Sequence, residues 1–359
     1  MWGTALIMTI QKTGGPGRRT MKRIKYLFRV LMGGSFKRFK DVVDQTHEKC
    51  GQNRIKTVLD MLWCFIRYGA GVHDYLIFAF YDMNGRQRNT YITRLRNKRM
   101  LEMVNDESKS YIFNRKDVFN KLYKDFLHRD FLCVEDMTPE NFAEFMKDKD
   151  VIFAKPSTSE SGKGIEKLKK ADFASVEAMY EYIRQPEKDF GVLEQEIKQH
   201  HDLSTLYPLS INTYRIVTLL VDGKAHYVYG VAKMGNEGKF VDNLENGGLG
   251  CPIDPKTGKM CGVAHTSPLI NYDTHPYTGV KLVGYQLPYV REAIKLCLKA
   301  AHVTPEVGYV GWDVAVTEDG PILVEGNNYS GYDFWQLPEW TPNKRGLYPY
   351  FRKMIKGYK

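Results

Sequence analysis

The sequence predicts an α+β protein preceded by a basic, mainly helical N-terminal region. Three observations point there. Apolar residues recur at helical spacing through 36–68, short strand-like runs appear from about residue 150, and one clear helix at 290–303 leads into a hairpin. A 43% hydrophobic and 13% aromatic composition is that of an ordinary globular chain, with disorder expected only at the ends. The longest apolar candidate for a membrane span, VLDMLWCFIRYGAGVHDYLIFAFY, is broken by Asp60, Arg67, His73 and Asp74.

Residues 1–20 read as a flexible leader, with Met21 a candidate start, and 21–110 as the basic helical region. The net charge of +10 is concentrated there: MKRIKYLFRVLMGGSFKRFK carries seven Lys or Arg and no acid. Such a segment suits either a solvated helix face or peripheral contact with an anionic membrane through residues 21–40. No nucleic-acid motif accompanies the charge, so no nucleic-acid partner is expected. Phe39, Val42 and Val43, then Ile55, Val58, Leu59, Leu62 and Ile66, set the helical rows, and Gly69-Ala70-Gly71 ends them. A helix over 113–127 puts Val118, Leu122 and Phe126 on one face. VIFAK (151–155) and IEKLK bracket a polar loop as a hairpin, SVEAMYEYIRQ is a helix, and GVLEQEI (191–197) a strand. TYRIVTLLV, AHYVYGVAKM and KFVDN (239–243) follow as strands, and RGLYPYFRKMIKGYK closes as a basic helix or tail. Six cysteines without a CxxC pair suit reduced thiols in a cytoplasm, not a zinc site.

Chemistry concentrates in a few stretches. GWDVAVTEDGPILVEGNN folds about a turn expected at Asp319-Gly320, which brings Asp313 nearly opposite Glu325, with Asn327 on the same face. Two adjacent carboxylates repel unless a cation lies between them, and Mg²⁺ takes hard oxygen ligands of this kind. An exposed hairpin face bearing acids for solubility is the alternative. In AKPSTSESGKG, Lys155 ends a strand and Lys163 sits between glycines, a phosphate cradle or simply a mobile tip. The order departs from a Walker A loop. LEQEI places Glu194 and Glu196 on a strand leaving a sheet, where an adenine finds an acceptor and a backbone donor; an edge strand with solvent-facing acids reads the same way. Arg215 and Lys233 lie among apolar strand neighbours and face either an anionic ligand or a buried ion-pair partner. Asn243, Asn246, Gly247 and Gly248 form either a loop that allows close backbone approach to a substrate or an ordinary turn. His265 and His275 flank a further loop of the same region.

The order of these features, over roughly residues 113 to 330, resembles the ATP-grasp superfamily. NTYRIVT, VDNLENGGL, HPYTG and the final hairpin are similar to its sugar-transfer-associated group, related to glutamate ligases. That resemblance implies two α+β subdomains gripping ATP: a small one over 111–198 with a phosphate lid loop, and a large one over 199–359 with the metal site. It implies that Lys155, Ser161, Gly162, Lys163 and Gly164 meet the phosphates, that Glu194, Gln195, Glu196 and Ile197 hold adenine, and that Asp202 or His201 serves the ribose. Arg215, Lys233 and Lys163 would act in catalysis, and Asp313, Glu325 and Asn327 would hold Mg²⁺, with Mn²⁺ a substitute. The implied activity is an ATP-dependent carboxylate–amine or carboxylate–thiol ligase working through an acylphosphate, in surface-polysaccharide or peptide-like metabolite synthesis. A phosphotransferase acting on a glycan or lipid-linked precursor is the alternative.

Overall fold

Two sheets organise the chain beyond residue 100 in the computed structural model, which describes residues 36–158, 163–238, 242, 246–266 and 270–359. The leader, residues 21–35 of the basic stretch, Ser161, Gly162, Asn243 and most of the KFVDN strand lie outside the described residues. The chain divides into two compact units. One runs to Arg99 and includes Tyr332–Phe351; the other comprises Met100–Gly331 and Arg352–Lys359.

In the second unit, β1 (Phe131–Cys133), β2 (Val151–Lys155), β3 (Glu166–Lys169) and β4 (Val192–Gln195) form a sheet in the order β1-β4-β2-β3. Alternate residues of β2, Ile152 and Ala154, bury against Phe142, Met146, Met179 and Ile183. Those partners come from the helices Pro139–Phe145 and Val176–Ile183 and the residue after the first. Both helices start on side-chain caps. Thr138 and Asn141 form a capping box, and Ser175 Oγ accepts from the Ala178 N–H.

The larger sheet has the order β11-β10-β5-β6-β7-β8-β9. Its strands are β5 (Thr213–Val221), β6 (Lys224–Met234), β7 (Leu249–Pro252), β8 (Ala264–His265), β9 (Asn271–Tyr272), β10 (Tyr309–Thr317) and β11 (Gly320–Asn327). Tyr214, Ile216, Ala232, Trp312, Val314 and Leu323 share one apolar core with Ala293, Cys297 and Ala300 of the helix Val290–Ala300. By strand alternation, Arg215, Lys233 and Asp313 point to the opposite face.

Segment 113–127 is not one helix but three short ones, Ser110–Asn114, Lys116–Leu122 and Lys124–Leu127. Its buried apolar residues are Phe119, Tyr123 and Leu127, one position beyond the expected row, and Leu122 is exposed. In the first unit, helical spacing through 36–68 is realised as Phe36–Cys50 and Arg54–Tyr68. Asn53 caps the second helix, and Gly69, at φ 66°, closes it in the left-handed region that favours glycine. The buried face of that helix is Thr57, Met61, Cys64, Phe65 and Tyr68, whereas Ile55, Leu59 and Ile66 point outward. All six cysteines are free, and no described helix is long and apolar enough to cross a membrane.

Candidate active site

Hairpin β10–β11 fixes the position of the acidic pair. Its two-residue turn is Glu318-Asp319, flanked by the pair Thr317–Gly320, one position earlier than the sequence suggested. Continued without interruption, that register would set Asp313 against Val324. It shifts instead between Asp313 and Val314, where Val324 is bulged out, so Asp313 pairs with Glu325 and Gly311 with Asn327. Leu323 faces the core, and two residues later a regular strand would send Glu325 there too; the bulge reverses that parity. Gly326 pairs with Trp312, and a Cβ at Gly326 would stand 2.9 Å from Phe113 and 3.1 Å from Phe119.

On the face opposite the core, Asp313 is the centre of a charge cluster. Arg215, its neighbour across β5–β10, donates from Nε at 2.6 Å and from a terminal nitrogen at 2.9 Å, a two-point clamp. Lys233 Nζ donates to the same carboxylate at 3.2 Å and stands 3.5 Å from Asp242. Thr213 Oγ1 donates to Asp242, so the start of the 242–248 loop is tied to β5 and β6. The buried ion pair considered for Arg215 and Lys233 is therefore present. Burial alone would raise the Asp313 carboxyl, but Arg215 and Lys233 hold it well below the usual carboxylate range. Glu325 is pushed up, by burial first and then by the Asp313 charge beside it. It makes no ion pair with a described residue, and Asn327 Nδ2 lies 3.5 Å from its Oε1.

That arrangement fits a divalent cation. Two carboxylates and an amide share one face, and the glutamate among them is destabilised in its charged form by the neighbouring acid and by loss of water. A hard cation held by Glu325, Asn327 and Asp313 would relieve both effects.

A second cluster joins the small sheet to the hairpin. Glu194, buried on β4, accepts from Lys155 Nζ at 2.7 Å, Arg129 Nε at 3.1 Å and Asn120 Nδ2 at 2.8 Å. Burial opposes its ionisation, yet Arg129 and Lys155 hold its pKa down at about 2. Arg129 also donates to the carbonyl oxygens of Leu323 and, at 3.3 Å, Val324. The guanidinium thus spans from the strand proposed to meet adenine to the bulge that aims Glu325. Neither Arg129 nor Asn120 was recognisable in the sequence, where Arg129 is simply one charge before the apolar run FLC. Lys116 was missed as well; its charge acts on Glu325, and its backbone N–H bonds Ser157 O at 2.9 Å.

The remaining candidates have other surroundings. Lys163 and Gly164 are exposed at the tip of the β2–β3 hairpin, with Gly164 at φ 73°. Gln195 accepts from the Asp130 N–H at 3.0 Å, and Glu196 pairs with Lys167 at 2.7 Å. The N–H of Ile197 donates to no described residue, which leaves a backbone donor at the end of β4. Asp202 stands with His200, His201 and Glu318 at the far end of the β10–β11 hairpin, 3.4 Å from His201 Nε2. Gly247, at φ 91°, and buried Gly248 follow Asp242 in the same loop. His275 is a structural residue. One ring nitrogen lies 2.9 Å from Gly235 O, the other accepts from Tyr277 N–H, and the ring stacks on Tyr207.

The family model for sugar-transfer associated ATP-grasp proteins matches residues 87–355. The chain belongs to that family. Its fold is accordingly ATP-grasp, preceded by helices. Among solved structures it is similar to the ATP-grasp ligase PsnB complexed with minimal precursor, at 14% identity and TM-score 0.41 over 70% of this chain and 63% of that one. It is also similar to D-alanyl-alanine synthetase A from Vibrio cholerae, at 14% identity and TM-score 0.40 over 69% and 65%. The chain thus spans less than two thirds of either structure's length. These likenesses are distant, and the family assignment rests on the matched model. Comparison with curated proteins returned no match.

Proposed function

We propose that this family member is an ATP-dependent ligase that joins a carboxylate to an amine, releasing ADP and phosphate. The observation that carries the proposal is the bulge-directed face on which Asp313, Glu325 and Asn327 meet Arg215 and Lys233. A carboxylate does not condense with an amine in neutral water, because its oxygen is a poor leaving group. Transfer of the terminal ATP phosphoryl to that oxygen converts it to a good one; the amine then attacks the acyl carbon and phosphate departs. Catalysis of this kind is positioning and charge neutralisation.

In this reading Asp313, Glu325 and Asn327 hold Mg²⁺, which screens the phosphoryl oxygens when bound. Arg215 and Lys233 are held in place by Asp313 before substrate arrives, so they meet anionic oxygens without reorganising. The end of β4, with the free N–H of Ile197, meets adenine. Lys155 and the loop carrying Lys163 meet the phosphates, with Asp202 or His201 at the ribose. The loop through Asn243, Gly247 and Gly248 borders the acceptor. The substrate class proposed is a peptide-like or glycan-linked carboxylate and its amine.

The test is ADP release across carboxylates and amines with Mg-ATP, run with and without hydroxylamine. A hydroxamate formed from the carboxylate, and an amide only when both substrates are present, are expected. E325Q should lower the rate at least about a hundredfold and weaken nucleotide binding only when magnesium is present. A stable phosphorylated acceptor with no amide would make the protein a phosphotransferase. An E325Q enzyme of parental rate would remove the metal site.

A further inference from the structure

Helix Arg54–Tyr68 is apolar on two opposite sides. Thr57, Met61, Cys64, Phe65 and Tyr68 face inward, while Ile55 (73% exposed), Leu59 (62%), Trp63 (55%) and Ile66 (77%) form a row on the outside. They follow one another at four, four and three residues, so their side chains stack along one strip of the cylinder. A helix apolar all round is normally covered all round. Here a contiguous strip of large side chains, one of them a tryptophan, is not covered by any described residue.

The charges beside the strip indicate its partner. Every exposed charged residue of this helix is a cation: Arg54, Lys56 and Arg67. Arg54 bridges to Asp44 at 2.6 Å. The only acid on the helix, Asp60, is turned inward, where Arg88 holds both its oxygens at 2.6 and 2.7 Å and Tyr75 donates at 2.8 Å. The preceding stretch, residues 21–40, adds seven Lys or Arg and no acid. Like charges disfavour that stretch as the cover for this strip, and both suit a common anionic surface.

We infer that the outer face of helix Arg54–Tyr68 is a peripheral docking surface for anionic lipid bilayers. Ile55, Leu59, Trp63 and Ile66 would enter the acyl boundary, with Lys56 and Arg67 at the headgroups. The inference is independent of the ligase chemistry.

Co-sedimentation of the full chain with vesicles of phosphatidylcholine plus phosphatidylglycerol, against vesicles of phosphatidylcholine alone, tests it. Binding to the anionic vesicles that weakens with salt is expected, and L59S/W63S/I66S should reduce partitioning more than about a hundredfold. These side chains are exposed, so circular dichroism and melting of the variant should match the parent. Lipids brominated near the headgroup should quench fluorescence in the parent, and W63F should lose most of that quenching. Absence of vesicle binding, or equal binding by the triple variant, would overturn the inference. So would a parental dimer that the triple variant dissolves without any lipid effect, because the strip would then be covered by a second copy of the chain.

Discussion

Replacing Glu194 with glutamine removes one negative charge from a buried site that keeps two positive ones, Arg129 and Lys155. An ordinary glutamate near 4.5 that is held at about 2 in the fold corresponds to about 3 kcal/mol of stabilisation. The direction of pH dependence follows. A depressed carboxyl pKa contributes stability that is complete above the unfolded value and disappears as pH falls towards the folded one. E194Q should therefore be less stable than the parent by about 3 kcal/mol at neutral pH, as expected for breaking a buried pair from one side. The gap should narrow as pH drops from about 4.5 toward 2. Guanidinium unfolding of both proteins at matched pH values, followed by far-ultraviolet circular dichroism and fluorescence, measures it. K155M is a useful companion, since Arg129 and Asn120 still hold Glu194 and the loss should be smaller. A difference below about 1 kcal/mol at neutral pH, or one that does not change with pH, would refute the reasoning.

Other outcomes follow from the same geometry. R129Q should loosen the Leu323–Val324 bulge and raise the magnesium concentration needed for half-maximal rate several-fold more than it lowers the maximal rate, with R129K recovering part of the loss; titration of activity with magnesium checks it. G326A should cost about 1–3 kcal/mol, because the new methyl meets Phe113 and Phe119 near 3 Å, and denaturant melts would show it. H275A should destabilise the protein by about 1–3 kcal/mol while leaving KM for ATP unchanged, since both ring nitrogens are committed to backbone groups; steady-state kinetics and melting separate the two effects.

What the sequence disclosed, and what it withheld, can be traced to particular residues. That Asp313 lies close to opposite Glu325 was legible, but a turn at Asp319-Gly320 would set Asp313 against Gly326 and the turn that forms would set it against Val324; the bulge brings it to Glu325, midway between the two. A bulge leaves little trace in a run of Pro, Ile, Leu and Val, because nothing in those residues marks which one drops out of the ladder. Helix existence was legible and helix faces less so. Around Arg54–Tyr68 apolar residues occur on both sides, so periodicity could not say which side is inward. Over 113–127 the row was misplaced by one residue, because aromatic and aliphatic side chains alternate there and the segment breaks into three turns. Glu194 was singled out for adenine, while its ion-pair partners were not foreseen: Lys155 lies 39 residues away and Arg129 lies 65 away, and neither spacing forms a motif.

The extra residue at Val324 has a consequence for how this hairpin can change over time. Beyond it, toward Glu318 and Asp319, the loop can be swapped or lengthened without disturbing the end that carries Glu325 and Asn327. Straightening the strand with every residue kept, or adding one more residue beside the bulge, would turn the remainder of the strand over, presenting Gly326 where Glu325 and Asn327 now stand and burying both polar groups among Phe113, Phe119 and Trp312. Deleting Val324 would instead keep Asp313 opposite Glu325. One inserted codon there would do more harm than a rebuilt tip.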